Sequence, residues 1–278
     1  MKTKEMTPEK LKKIQLKREK EIAKWEKERA KPKSRYYFAY LVFIIALIYA
    51  TDEIASQIGT LMKTEIATDL LAKYGESSIG ILDILGIVAF PFQGLSLLYK
   101  PLSDRYGRKL FLIINTLGMG IGLFFVFLSN NIALYVIGLA MLVIFLSDNL
   151  FLYFVGAVLV QFFVPHDMQV VYVTESSPPK HRAKIFSLVK CVSTLGLMLI
   201  PLLRRTLMAD ASEWRNVYLI PAFVGIITSL IALLFAREPD TFIDSRLRYL
   251  RMSDEYKDFT AISDIKSDAP LLFGKGPR

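Results

Sequence analysis

The sequence has little cysteine and no motif of a nucleotide-binding enzyme, and each absence excludes a class of function. Cys191 is the one cysteine among 278 residues and lies inside an apolar block, so neither an intrachain disulfide nor a thiolate metal cluster can form. No cluster of His, Cys and Asp has metal-ligand spacing, and we predict no metal or other cofactor. No glycine loop ends in Lys-Ser or Lys-Thr, which argues against direct use of ATP. We expect a protein that is not an enzyme.

Apolar sequence, by contrast, is abundant. Hydrophobic residues make up 53% of the chain, and its mean hydropathy of +0.38 is above that of ordinary soluble domains. They are concentrated in seven blocks, at residues 36–50, 79–99, 110–128, 132–146, 150–164, 185–203 and 217–236. An α-helix needs about 20 such residues to cross about 30 Å of hydrocarbon. The composition predicts an all-α integral membrane protein with its transmembrane helices in residues 36–236.

Two neighbouring stretches of this sequence are similar to each other. Residues 128–145 and 146–163 match at Leu, Ser, Asn, Leu, Tyr, Gly and Phe with a constant offset of 18 residues, which is five helical turns. The match indicates either a local tandem duplication or a chance similarity between leucine-rich stretches. If both copies crossed the membrane separately, every later loop would change side, against the distribution of basic residues. We therefore predict a six-helix bundle, with the first copy an extension or a re-entrant segment before the fourth span.

The N-terminal segment is strongly basic. Its first 35 residues carry 14 Lys and Arg against 6 Glu, a net charge of +8 in a chain whose net charge is +9. A charged run of this kind is not a signal peptide, so we expect the N-terminus to be retained. Pro8 and Glu9 are typical of a helix start and Pro32 of a stop, which predicts a helix over 8–31 without a wide apolar stripe. We predict that residues 1–35 form a cytoplasmic tail that attracts anionic lipids, with no nucleic acid partner.

Basic loops give the predicted orientation. Because Lys and Arg of short loops stay on the cytoplasmic side, the tail indicates a cytoplasmic N-terminus. The loops at 100–109 and 175–184 and the segment 237–278 are then cytoplasmic as well. The loops at 57–78 and 204–216 balance their bases partly with acids and would lie outside. We predict a multi-pass protein of the cell membrane with both termini in the cytoplasm.

The segment LSDRYGRK joins the second and third apolar blocks. It resembles the signature of the major facilitator superfamily, Gly-x-Leu-x-Asp-Arg-x-Gly-Arg-Lys, which lies in this same cytoplasmic loop. Lys100 replaces the first glycine, and the matching positions are Leu102, Asp104, Arg105, Gly107, Arg108 and Lys109. An acid at a helix end can pair with bases while a gate is shut, and a glycine permits a tight turn. The resemblance implies a charged cytoplasmic gate.

Two further segments are similar to the sugar-porter subgroup of that family. One is YVTESSPPKHR after the fourth span, and the other consists of the pairs Trp-Arg and Glu-Pro that flank the sixth span. The matching residues are Tyr172, Glu175, Arg182, Trp214, Arg215, Glu238 and Pro239. Members of the superfamily have twelve spans in two halves, each built from two inverted three-helix repeats. The resemblance implies an N-terminal half, with 237–278 beginning the loop to a second half, and a need for that half or for a second copy.

Polar residues within the apolar blocks are candidates for a substrate or proton path, because an ionisable group at mid-bilayer costs about 3 kcal/mol. Adjacent helical positions point about 100° apart, so at most one of the first-span acids should face such a path. Pro165 can break the fourth helix, and the basic candidate of the fifth span either pairs with an acid or extends to the surface. Polar packing between helices is the alternative role. The candidates are Asp52, Glu53 and Gln57 in the first span, Gln161, His166, Asp167 and Gln169 in the fourth, and Lys190 in the fifth.

These features lead to one main functional hypothesis and two alternatives. The first is secondary active transport of a small polar solute, a sugar or related metabolite, driven by protons through alternating access. First-span acids are proton sites in some sugar transporters that the chain resembles. The second is a truncated membrane protein that anchors the tail or pairs with a partner without transporting. The third is a passive pore, against which the lack of a repeated ring of charges argues. Six more spans encoded in frame downstream would favour transport.

Overall fold

The helices of the protein follow from its apolar blocks. A computed structural model describes residues 8–32, 36–130, 148–163 and 167–252. Within these ranges no strand occurs, and six helical segments are long and apolar enough to cross a membrane. They are Tyr37–Leu61, Tyr74–Phe92, Arg108–Phe127, Leu150–Ser176, Arg182–Leu207 and Ala211–Phe235. The predicted all-α membrane bundle is confirmed.

We number the α-helices of the described residues in chain order. The first is α1 (Pro8–Ala30), which precedes the membrane bundle. The bundle contains α2 (Tyr37–Leu61), α3 (Lys63–Leu70), α4 (Ser78–Tyr99), α5 (Ser103–Tyr106), α6 (Arg108–Phe127), α7 (Asp148–Phe163), α8 (Asp167–Ser176), α9 (Arg182–Leu197), α10 (Leu199–Leu207) and α11 (Asn216–Phe235). The last is α12 (Asp240–Arg251).

Close helix contacts hold the bundle together. α6 packs against α7 and α11, α2 packs against α9 and α11, and α4 packs against α7. The α6 and α7 backbones come closest at two glycines. A Cβ added at Gly156 would lie 2.7 Å from the carbonyl oxygen of Gly122, and one added at Gly122 would lie 3.0 Å from that of Gly156. Small residues permit this close approach. Such packing stabilises a membrane bundle because lipid tails are as apolar as the side chains, so the hydrophobic effect does not drive the helices together.

Buried polar residues separate two apolar clusters within the bundle. The first cluster contains the buried apolar α2 residues from Leu41 to Tyr49, and the second contains those from Ile54 to Ile58. Between them, Thr51 and Asp52 are buried. α6, α8, α9 and α11 also place buried polar residues between the two clusters. We name this set the polar layer: Thr51, Asp52, Asn115, Thr116, Gln169, Ser193, Thr228 and Ser229.

The connections differ most from the sequence-based expectation. Residues 57–78 and 204–216 are largely helical, because α2, α3 and α10 extend into them. The fifth span, a single apolar block, divides into α9 and α10 at Met198. The segment 132–146 and the predicted break at Pro165 lie outside the described residues. Apolar content alone therefore predicted the spans, but not how far the helices extend into these two connections.

Outside the bundle, α1 and α12 form a separate antiparallel pair. The predicted N-terminal helix is confirmed, with the bounds Pro8–Ala30. Trp25 is 3% exposed and packs edge-to-face on Phe242, with ring centroids 5.4 Å apart. Ile22 packs against the same cluster, which α12 completes with apolar side chains on one face. The helix predicted to lack a wide apolar stripe thus has a narrow apolar face, and that face is covered.

Candidate functional site

The matched residues of the LSDRYGRK segment lie where α6 begins. We name the Arg108 cluster after its central residue; it comprises Asp104, Arg108, Glu175 and Glu238. The Arg108 guanidinium donates to both carboxylate oxygens of Glu175, from Nε at 3.3 Å and from Nη2 at 3.1 Å. Its Nη1 donates to Ser103 Oγ at 2.8 Å and pairs with the Asp104 carboxylate. A planar guanidinium makes such two-pronged contacts and an ammonium does not.

Glu238, just after α11, caps the first turn of α6. Its carboxylate accepts the backbone N–H of Arg108 at 2.8 Å and that of Lys109 at 3.2 Å. The first N–H groups of a helix have no acceptor within the helix, and the helix dipole favours negative charge there. Glu238 therefore fastens the end of the sixth span to the start of the third.

Gly107 makes the approach of Glu238 possible. Its backbone has φ 117° and ψ 148°, a combination that only glycine adopts without strain. A Cβ at this position would lie 2.8 Å from the carboxylate carbon of Glu238 and closer still to one oxygen. The turn and the cap both require a residue without a side chain.

We expect Gly107→Ala to lower the free energy of unfolding by about 1–3 kcal/mol through backbone strain alone, with a further loss from displacement of Glu238. Unfolding in a dodecyl sulfate titration is followed by Trp214 fluorescence in a Trp25→Phe background. Gly75→Ala is the matched control, because Gly75 also has a positive φ, of 52°, but nothing lies near its Cβ position. If Gly107→Ala costs no more than Gly75→Ala, the Glu238 contact contributes nothing.

The remaining gate candidates lie around this cluster. The guanidinium of Arg105 is exposed and stands 5.6 Å from the ring centroid of Tyr106. Lys109 Nζ donates to the carbonyl of Leu233 at 2.8 Å. Arg182 is partly buried, and its Nε has no acceptor among the described residues. Gly107 and Lys109 contact Glu238 of the cluster, whereas the described contacts of Arg105 and Arg182 do not involve the Arg108 cluster.

The polar layer contains the first-span acid Asp52. Its side chain is 0% exposed, and Oδ2 accepts a hydrogen bond from Nε2 of Gln169 at 3.2 Å. Gln169 belongs to α8 and is itself 1% exposed. A buried carboxylate is costly unless polar groups surround it, and the glutamine amide supplies one donor. Two path candidates from different spans are therefore in contact.

Glu53, the neighbouring acid, pairs with Lys190 of α9. Lys190 Nζ lies 2.8 Å from Glu53 Oε2 and 6.0 Å from the ring centroid of Tyr49. The side chains of Glu53 and Lys190 are 17% and 44% exposed, so this pair opens to the bundle surface, unlike Asp52. The expected divergence of the two acids is thus observed, and Lys190 takes the first of its two predicted roles, as the partner of an acid.

The other path candidates are distributed around these pairs. Gln57 is exposed, one turn beyond Glu53. Gln161 lines a cleft of about 190 Å³ whose walls include α2, α4 and α7. His166 lies outside the described residues, and Asp167 begins α8 with a side chain that is not among those described.

A second charged group, whose pairing sequence reasoning missed, lies near the start of α11. Arg215 is 7% exposed, and its Nη1 lies 2.6 Å from Asp69 Oδ2. Trp214 is fully buried, and its Nε1 donates to the same oxygen at 3.0 Å. Glu65, also buried, pairs with Arg204. The sequence contains these acids in 57–78 and these bases in 204–216. Charge counting alone uses them to assign the loops to one side of the membrane and does not predict that they form ion pairs with one another.

Similarity to a known family and to a solved structure supports an assignment of this chain to a family. A family model described as Major Facilitator Superfamily matches residues 36–272. The chain belongs to the Major Facilitator Superfamily. A solved structure of similar fold is the inward-open conformation of the xylose transporter XylE from E. coli, with 14% identity and a TM-score of 0.54. No curated protein matches the chain.

The extent of the match agrees with one half of a superfamily bundle. The alignment covers 87% of this chain and 58% of the XylE chain. Superfamily members hold substrate between two six-helix halves, and six candidate spans occur among the residues described here. Within the Arg108 cluster, Asp104 and Arg108 stand at positions of the superfamily signature, and they contact Glu175 and Glu238 from later spans. These contacts account for charges of that segment between two apolar spans.

Proposed function

We propose that the protein is a secondary active transporter of a small polar solute, a sugar or related metabolite, and that protons drive it. The observation that carries this proposal is the complete burial of Asp52 in the polar layer, where its carboxylate accepts a hydrogen bond from the amide of Gln169. An ionisable group within a membrane costs about 3 kcal/mol on insertion scales. A bundle that only anchors a tail does not require a buried carboxyl group within the membrane, so the burial of Asp52 disfavours the non-transporting alternative.

The partners of the two acids indicate which of them exchanges a proton. Gln169 has both an N–H donor and a carbonyl acceptor, so it can partner Asp52 in its charged or its neutral form. Glu53 faces Lys190, an ammonium that only donates, and a neutral Glu53 would leave that ammonium without its counter-charge. We therefore assign proton coupling to Asp52 and an ion pair with Lys190 to Glu53.

The solute class rests on the lining of the cleft beside Gln161. Ser56, Thr60 and Tyr153 contribute hydroxyl groups there, next to the amide of Gln161. Hydroxyl and amide groups suit a solute rich in hydroxyl groups, and XylE, the protein of similar fold, transports xylose. A second six-helix unit, from the same gene or a second copy, would complete the cavity.

The Arg108 cluster suits a gate on the cytoplasmic side of the cell membrane. The cluster ties the start of α6 to the ends of α8 and α11. Rigid ends allow one half of a transporter to rock as a body against the other. The basic loops support a cytoplasmic position for this end of the bundle and for both termini.

The test is uptake of radiolabelled D-xylose and D-glucose by proteoliposomes that contain the full gene product. An inwardly directed proton gradient should drive accumulation. Asp52→Asn should reduce gradient-driven uptake roughly tenfold while leaving exchange of labelled for unlabelled solute. Glu76→Gln, which neutralises an exposed acid, should behave as wild type.

Two results would contradict parts of this proposal separately. Undiminished gradient-driven uptake by Asp52→Asn would remove the proton assignment while transport stands. Absence of both uptake and exchange for every pentose and hexose tried would remove the sugar assignment.

A further inference from the structure

Lysines recur along α1 with a regular spacing. We name the lysine stripe after them: Lys13, Lys17, Lys20, Lys24 and Lys27. Alternating steps of four and three residues keep to one side of a helix with 3.6 residues per turn. All five side chains are exposed. At 1.5 Å per residue the stripe is about 21 Å long.

A different side of α1 faces α12. The contacts there come from Arg18, Ile22, Trp25 and Arg29, which repeat at steps of four, three and four and share no position with the lysine stripe. Arg18 donates to the carbonyl groups of Leu250 and Met252 at the end of α12, and Arg29 Nη1 lies 3.0 Å from Asp240 Oδ1. α12 therefore covers the apolar side of α1 and leaves the lysine stripe uncovered.

The acids nearest α12 are neutralised by it. Arg246 Nη2 lies 2.6 Å from Glu21, and Arg251 Nη2 lies 2.7 Å from Glu26. Within the described residues no carboxylate pairs with a lysine of the stripe, although Lys24 Nζ stands 4.7 Å from the ring centroid of Trp25. In the part of the chain that the structure describes, the stripe is thus a row of positive charge without a paired carboxylate.

Chain connectivity ties this row to a membrane surface. α1 ends at Ala30 and the first span begins at Tyr37, so at about 3.5 Å per residue the two helix ends lie no more than about 25 Å apart. The same end of the pair follows the sixth span just as directly, since α11 ends at Phe235 and α12 begins at Asp240, beside Arg29. A bilayer surface is therefore always within reach of α1.

We propose that the lysine stripe binds the anionic headgroups of the bilayer that holds the protein's own spans. A straight row of ammonium groups complements a planar anionic surface, and each lysine close to such a surface strengthens binding about fivefold. This interaction is separate from transport, and either can fail without the other.

The test measures protection of the lysines in the intact protein. The full gene product is placed in nanodiscs of phosphatidylcholine, with or without phosphatidylserine, and pulsed with an amine-acetylating reagent before mass spectrometry. Acetylation of the stripe should slow about fivefold or more when phosphatidylserine is present, and 0.5 M salt should remove the effect. Lys12, exposed on another side of α1, should react equally in both discs.

Several outcomes would overturn the proposal. They are equal acetylation of the stripe in the two discs, equal slowing at Lys12, and protection in neutral discs by inorganic phosphate or by a short RNA duplex. A variant with Lys13, Lys17, Lys20 and Lys27 changed to Gln should retain less phosphatidylserine on purification. Its matched control changes four exposed bases elsewhere, Lys12, Lys180, Lys184 and Arg248, to Gln and should retain the wild-type amount.

Discussion

Replacing Arg108 by methionine is expected to lower the free energy of unfolding by about 3–5 kcal/mol. The guanidinium is 17% exposed and contacts Glu175, Ser103 and Asp104 together. Its removal leaves the carboxylate of Glu175, 25% exposed, without the guanidinium that contacts both of its oxygens. Arg108→Lys should recover only part of the loss, because an ammonium cannot contact both oxygens of Glu175 and the Ser103 hydroxyl at once.

Arg105→Met provides the matched control, because it removes the same charged group from an exposed position three residues away. Its effect should stay within about 0.5 kcal/mol. The measurement is the dodecyl sulfate titration with Trp214 as the fluorescent reporter. The double variant Arg108→Met with Glu175→Met should recover most of the lost stability. Equal, small losses at both arginines would reduce the Arg108 cluster to an ordinary surface ion pair.

The membrane helices could be predicted from the sequence because their cause is local. A span must satisfy its own backbone hydrogen bonds and match the thickness of the hydrocarbon, so its apolar residues are consecutive. The third and sixth spans, predicted over 110–128 and 217–236, agree with α6 and α11 to within two residues. The family signature is local in the same sense, since six residues at fixed spacing carry it.

Partners of charged residues could not be predicted in this way. Gln169 is 117 residues from Asp52, and Lys190 is 137 residues from Glu53. Each of these residues has several possible partners on a sequence, and only the packing of the helices selects one. The expected divergence of Asp52 and Glu53 follows from helix geometry, whereas the identity of their partners does not.

Separation along the sequence also explains why two other contacts were not predicted, one around Trp214 and one on the apolar face of α1. Trp214 and Asp69 are 145 residues apart, and the matched pair of Trp214 and Arg215 does not indicate that Asp69 is its partner. The apolar face of α1 consists of little more than Trp25 and Ile22, too few to show a periodic stripe. Its partner Phe242 comes after all six candidate spans, so the face becomes evident only when the two helices are seen together.

Replacing Lys190 by methionine is expected to lower the free energy of unfolding by about 3 kcal/mol, since Glu53 then stands in a membrane helix without its counter-ion. Glu53→Gln should cost less, because Lys190 is 44% exposed and its long side chain can extend toward the surface. The double variant should approach wild-type stability, because it removes both charges. The titration with the Trp214 reporter measures all three.

The pair Lys63 and Asp83 is the matched control for this cycle. Its side chains are 29% and 58% exposed, so Lys63→Met should cost no more than about 1 kcal/mol. The stable double variant of Glu53 and Lys190 also separates the two first-span acids in function. If Asp52 carries the proton, gradient-driven uptake survives in that variant; if uptake uncouples from the gradient while stability is retained, Glu53 is the coupling acid and the assignment of Asp52 is wrong.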